Sequence, residues 1–415
     1  MASVSSAATI SRGARGLVLA GAGFLVASTF AAAITEPRST IVAFGLYGFV
    51  LHTIFGKAYG LLPAYFDRDL AVPRAPQLQL PLAVLGTVLL AATPGSETDR
   101  LLPIAADVAA DAGAVLWAAG SIVFLVTIAL TIRDNPTGAE TGTSASKADR
   151  ARLDRIANAA MPIALAYLAI ATYQLLAGAF DLPALVESPL AVSHLLTVGT
   201  ATLLVFAIGA RLLPRLIRAE VPDALAAAVL ASGALGPALL VGWFDGGPFG
   251  LAVEGLLHGA IALLAVAVLG HAVLIVLLVS RAPAPRLGAY GVLAGAVGGV
   301  LTVAAGALVG LGERIELFAI HPRLGLLGFL GLTILGVVYH FYPPAVAGDR
   351  GDVVAAASLW SLGGGVFLEL TAVLLGEGQP SGPTATAIDL GRWLAVVGAL
   401  AYAGLLVVIV VNRRR

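Results

Sequence analysis

The stretch HPRLGLLGFLGLTILGVVYHFYP, residues 321–343, decides how this chain is to be read. Between Arg323 and His340 it holds no charge, and Thr333 and Tyr339 are its only polar side chains there. With its flanks it exceeds the roughly 20 residues that a helix needs to cross a hydrocarbon core. Lipid offers no partner to a backbone N–H or C=O, so such a segment must close its own hydrogen bonds as a helix.

Outward from this stretch the pattern repeats. Apolar spans fall near 14–34, 40–63, 79–93, 108–131, 157–180, 189–214, 224–243, 250–279, 287–311, 317–343, 353–375 and 390–411, the third being the shortest. The 415 residues are 59% hydrophobic and only 12% charged, with a mean hydropathy of +0.96. A soluble domain carries about 25% charged residues, so a water-soluble protein is excluded. The first apolar run, Gly16–Ile34, is read as a retained span and not a cleaved signal. Lysines and arginines balance acids at 24 to 24, so no overall field steers the chain toward nucleic acid. The absence of cysteine excludes disulfides, iron–sulfur clusters and thiolate metal sites.

Loop charge predicts orientation. With the N-terminus inside, nineteen basic residues fall on the cytoplasmic side, among them Arg68, Arg74, Arg211, Arg215 and Arg413. Only Arg38, Arg100, Arg314, Arg323 and Arg392 fall outside. That bias predicts a multi-pass plasma-membrane protein with both termini cytoplasmic. The long polar linker 133–155, with its Thr141–Ser146 low-complexity run, is expected to be a mobile cytoplasmic segment.

Spans 2, 6 and 10 resemble one another. From His321, Gly328 lies seven residues on, Gly336 fifteen and Pro343 twenty-two; Gly48, Gly56 and Pro63 keep these offsets from Ile41. From His194, Ala201 and Gly209 keep the first two, and Pro214 comes slightly early. Offsets of seven and fifteen fall on one helix face. The resulting small-residue stripe suits either close helix packing or a flat bulky group. The repeat predicts an all-α integral membrane protein of about twelve helices, in three pseudo-symmetric four-helix units over 14–132, 156–280 and 287–411 of one membrane domain. Each of the three helices is expected to stop at its proline.

That architecture resembles subunit I of the heme-copper oxidases, the fold of cytochrome c oxidase and nitric oxide reductase. Residues 321–343 are similar to that family's tenth helix, with its outer histidine pair, small residues and aromatic-proline end. His194-Leu-Leu-Thr-Val-Gly199, followed by Gly209 and Arg211, resembles a segment of the NnrS family of heme- and copper-containing membrane proteins. The resemblance implies a heme ligated by His321, with copper possible. It also implies a role in respiratory or nitric-oxide-related metabolism, beside other respiratory subunits or a small redox protein. The departures are specific. Arg323 stands where the family has its second histidine, Thr40 and Ile41 stand at the other low-spin ligand position, and span 7 has no histidine. A complete terminal oxidase is therefore not expected.

Six histidines are available. His321 and His194 are the candidates for cofactor binding, with Arg323 reaching Glu313, Glu316 or a heme propionate. His258, His194 and Glu254 are the candidates for a metal, with Glu254 one turn before His258 and able to orient its imidazole. His271 reads as a buried hydrogen-bonding residue, His340 as part of an aromatic belt, and His52 as a displaced ligand for the vacant position. Glu369, alone in the middle of span 11, must be protonated, paired or part of a proton path. If cofactors are absent, Glu369, Glu254 and Arg323 mark the polar pathway of a transporter or channel. An accessory respiratory subunit is the third reading.

Overall fold

The computed structural model describes residues 2–101, 104–141, 150–247 and 253–413, with side chains from residue 7 onward. No strand occurs among them. Twelve principal helices follow in order: α1 Ala2–Ala33, α2 Arg38–Tyr65, α3 Ala75–Leu90, α4 Ala106–Ile132, α5 Ala151–Ala179, α6 Pro189–Ile217, α7 Asp223–Phe244, α8 Val253–Ser280, α9 Leu287–Gly310, α10 His321–Phe341, α11 Gly351–Leu375 and α12 Pro383–Asn412. Eleven are long and apolar enough to cross a membrane; α3, the shortest expected span, is not. The chain is an all-α polytopic membrane protein.

The helices depart from the apolar spans where polar residues are used inside the protein. α5 starts at Ala151, ahead of the expected 157, because Asp154 and Asn158 face inward and are fully buried. α3 starts at Ala75, where Pro76 fits the first turn. Only α10 ends ahead of its proline. Pro63 and Pro214 lie inside the last turns of α2 and α6, which run on to Tyr65 and Ile217.

α2, α6 and α10 share a second feature. Each contains an eight-residue π-helical segment, at Ala43–Val50, Leu195–Thr202 and Leu324–Gly331. A π-helix closes i→i+5 bonds, is rare, and is found mostly at functional sites. The segments begin one to three residues after the aligned positions Ile41, His194 and His321. They include Gly48, Ala201 and Gly328.

The chain forms two compact units: Met1–Gly21 with Leu51–Arg215 and Val221–Gly270, and Ala22–Val50 with Leu216–Glu220 and His271–Arg415. In the first, a Cβ at Gly86 would stand 2.5 Å from the Trp117 backbone nitrogen, and one at Gly113 2.7 Å from that of Leu90, so α3 and α4 touch along their backbones. Gly56 of α2 meets the Ala14 carbonyl at 2.7 Å. Tyr167 of α5 covers Gly199 of α6 and donates its hydroxyl to the Ala234 carbonyl of α7 at 2.6 Å.

In the second unit, Gly48 of α2 lies on the Phe24 ring of α1. Gly288, Gly291, Gly295 and Gly298 of α9 meet Gly336, Thr333 and Gly328 of α10 at backbone distance. The stripes on α2 and α10 are therefore filled by the preceding helix. The packing reading holds for them, not the reading of a flat ligand, because apolar helices in lipid associate through close van der Waals contact. A Cβ at Gly298 would overlap the Gly328 carbonyl, whereas one at Gly364 meets nothing within 4 Å. Gly298→Ala is expected to cost about 1–3 kcal/mol by overpacking. Gly364→Ala should be neutral or gain up to about 1 kcal/mol of helix propensity. Thermal unfolding in detergent compares the two.

The linker is not wholly mobile. Residues 133–141 are turns folded onto the end of α2: Asn135 donates to the Phe66 carbonyl at 3.0 Å and Thr141 to that of Tyr65 at 2.8 Å. Residues 142–149, most of the low-complexity run, lie outside the described residues.

Candidate functional site

Two of the singled-out residues meet. Arg323, at the head of α10, is buried and grips Glu369 of α11 with one edge of its guanidinium: Nε donates to Oε2 at 2.8 Å and Nη2 to Oε1 at 2.5 Å. Glu369 is 2% exposed. Arg392 of α12 approaches the same carboxylate, its Nε 3.7 Å from Oε2, and its side chain is 27% exposed. At the rim, the exposed Asp389 lies 3.8 Å from Arg392 Nη1. Helix packing sets this up. A Cβ at Gly391 would stand 2.6 Å from the Gly365 carbonyl and 2.8 Å from Glu369 Cγ, so a glycine there lets α12 bring Arg392 beside Glu369.

The partner expected for Arg323 is thereby corrected. Glu316 pairs with Arg314, whose hydrogen bond holds that carboxyl below its usual range. The carboxylate that Arg323 holds is Glu369, neither Glu313 nor Glu316. Guanidinium and carboxylate reach each other from helices 46 residues apart. A buried, hydrogen-bonded pair removes the cost that either charge would bear alone.

A second cluster of the same composition lies in the other compact unit. Asp154 of α5, fully buried, accepts Arg215 Nη2 at 2.9 and 2.7 Å and stands 3.5 Å from Arg211 Nε. Arg211 Nη1 also donates to the Tyr65 carbonyl at 2.6 Å and to Asn158 Oδ1 at 2.5 Å, with its guanidinium 4.3 Å from the Tyr65 ring. The Tyr65 carbonyl, near the end of α2, also accepts Asn158 Nδ2 at 3.0 Å and Thr141. Carbonyls at a helix end lack intrahelical partners and carry partial negative charge, which suits arginine there. Arg211 and Arg215 are loop charges by sequence, Arg211 also part of the NnrS-like segment, and Asp154 and Asn158 were not singled out. The available signal was spacing: Asp154 and Asn158, like Arg211 and Arg215, are four residues apart on helix faces.

The histidines do not converge. His194 is half-buried, its Nδ1 2.7 Å from the Leu190 carbonyl and its ring 4.8 Å from that of Phe244. His258 is exposed, and its Nδ1 meets the backbone carbonyl of Glu254 at 2.8 Å, not the carboxylate expected to orient it. Glu254 is likewise exposed. His321 is half-buried, its ring lying on Gly306 of α9, where an added Cβ would be 2.9 Å from Cε1. His52 and His271 are buried, His271 6.5 Å from the Phe329 ring. His340 is half-buried against Gly288, its Nδ1 2.9 Å from the Gly336 carbonyl. Among the described residues no three His, Asp or Glu side chains gather to hold a metal ion.

No protein-family model matches the chain, and no curated protein matches it in sequence.

Proposed function

We propose that this chain is a multi-pass plasma-membrane protein with both termini cytoplasmic, built from three four-helix units, that passes small ions through the Arg323–Glu369–Arg392 cluster. The observation that carries this reading is the cluster itself: three ionisable groups on apolar helices, two of them buried. Ionisable residues in membrane helices are costly, face the protein interior, and mark ion and substrate paths. The three-unit arrangement is supported by the matched π-helical segments of α2, α6 and α10. Purified protein in liposomes should carry an ion flux that falls at least tenfold in Arg392→Gln, a partly exposed position where folding is least at risk. Flux that is absent from wild type, or unchanged in the variant, rejects the reading.

A second reading keeps the oxidase resemblance, in respiratory or nitric-oxide-related metabolism. It is favoured by His321, half-buried at the head of a π-helical segment on the helix whose sequence resembles the oxidase tenth helix. His321 would be the axial ligand, and a bound heme would supply a redox-active iron. Copper at His194 or His258 fits less well, since His258 and Glu254 are exposed and no third donor joins them. The heme reading expects a Soret band in protein from heme-replete cells, lost in His321→Ala. A colourless preparation rejects it.

A further inference from the structure

We propose that the α10–α12 cluster is a binding site for one small, planar, monovalent oxyanion of the carboxylate, nitrate or nitrite class. This rests on the ion-passing reading and names its substrate class.

Charge comes first. Arg323 and Arg392 bring two positive charges to one buried carboxylate, Glu369, leaving an excess of one. Asp389 stands at the rim with its side chain 67% exposed, outside the buried group, where an ion pair contributes little. One monovalent anion closes the balance; a divalent anion overshoots it, and a cation is repelled by two guanidiniums.

Donors come second. Glu369 takes the Nε and Nη2 side of Arg323. Arg323 Nη1 is buried and has no hydrogen-bond partner among the described residues, and the same holds for Arg392 Nε, whose 3.7 Å approach to Glu369 is too long for a hydrogen bond. The remaining Nη1–Nη2 edge of Arg323 is a planar fork that matches two oxygens of a planar oxyanion. The Asp154 cluster provides the contrast. There the corresponding Arg211 nitrogen, Nη1, is taken by the Tyr65 carbonyl and Asn158, and no Arg211 atom is left over among the buried groups. The same three charges are closed off as a latch in one unit and left with unused donors in the other.

Access comes third. Arg323 is 7% exposed and Arg392 is partly exposed, so the cluster reaches the protein surface on the α12 side. Unused donors on a buried Arg323 beside a partly exposed Arg392 suit a small free anion better than a phospholipid headgroup.

The test is titration of full-length protein in phosphatidylcholine nanodiscs with sodium nitrate and sodium formate, read by calorimetry, with sulfate as the divalent control. Saturable binding of nitrate or formate, at least tenfold tighter than sulfate, is expected. Arg392→Gln should weaken it at least tenfold. Glu369→Gln, which removes the internal competitor for Arg323, should tighten it, and a purely structural role would not give that sign. Should Glu369→Gln fail to fold, the exposed Asp389→Asn tests the same sign with an expected few-fold gain. No saturable binding by folded wild type, binding indifferent to Arg392→Gln, or weaker binding in the carboxylate variants overturns the proposal. Binding seen only when anionic lipid is added, and not with nitrate or formate, overturns it in favour of a headgroup site. Anion binding without flux in liposomes leaves this site standing and removes the transport reading alone.

Discussion

Glu369→Ala is expected to lower stability by about 3–5 kcal/mol, because it strands a buried charge without its partner. Arg323 would keep a guanidinium at 7% exposure with no carboxylate within reach, and Arg392 would lose the group that draws it inward. Thermal or SDS-induced unfolding in detergent measures the loss. Replacing Arg323 as well, in Arg323→Leu/Glu369→Leu, should recover much of it, since removing both buried charges is often neutral or better. Arg392 can then turn toward the exposed Asp389. A double variant as unstable as Glu369→Ala would show that the pair organises α10 and α11 in some way other than by charge.

Asp154→Ala is expected to have an effect of similar size, about 3–5 kcal/mol, by the same mechanism. Asp154 is fully buried and faces both Arg211 and Arg215. Its loss should also loosen the end of α2, because Arg211 is held between Asp154 and the Tyr65 carbonyl. Hydrogen exchange should therefore rise at the end of α2, in the turns at 135–141 folded onto it and at the start of α5, beyond what global destabilisation accounts for. Asn158→Ala, which removes a neutral partner of Arg211, should cost less, about 1–3 kcal/mol. Equal effects of the two variants would argue against a charge-based latch. By linkage, added nitrate should stabilise Asp154→Ala as much as wild type, because its Arg323–Arg392 site is intact, and Glu369→Gln by more.

What could be read in advance follows the physics of each feature. Apolar length and loop composition act within one segment, so the positions of twelve helices were legible, including the weakness of α3. The glycine offsets in α2, α6 and α10 were legible as a pattern, while their meaning was not: only the structure puts Phe24 over Gly48 and Gly298 against Gly328. The π-helical segments carry no composition signal comparable to a proline or a glycine turn, and they were missed. Glu369 stood out as a lone carboxylate in an apolar run, and Arg323 as a cation needing a partner. Their pairing could not be read, because it joins residues 46 positions apart through the crossing of α10 and α11. Asp154 escaped notice for the opposite reason: it follows a polar linker and looks like a surface charge until the helix turns it inward.

By itself, then, the sequence determined that residues 321–343 and their counterparts are membrane helices, because an apolar run of bilayer length has no other way to satisfy its backbone. It also determined that His194, His321, Arg323 and Glu369 sit where chemistry is costly. The tertiary structure alone decided what those residues do with that cost. It committed Arg323 to Glu369, set His258 on an exposed face, and filled the glycine stripes of α2 and α10 with neighbouring helices. Side-chain partners are chosen by which helices cross and how closely their backbones approach, and that depends on contacts no single segment contains.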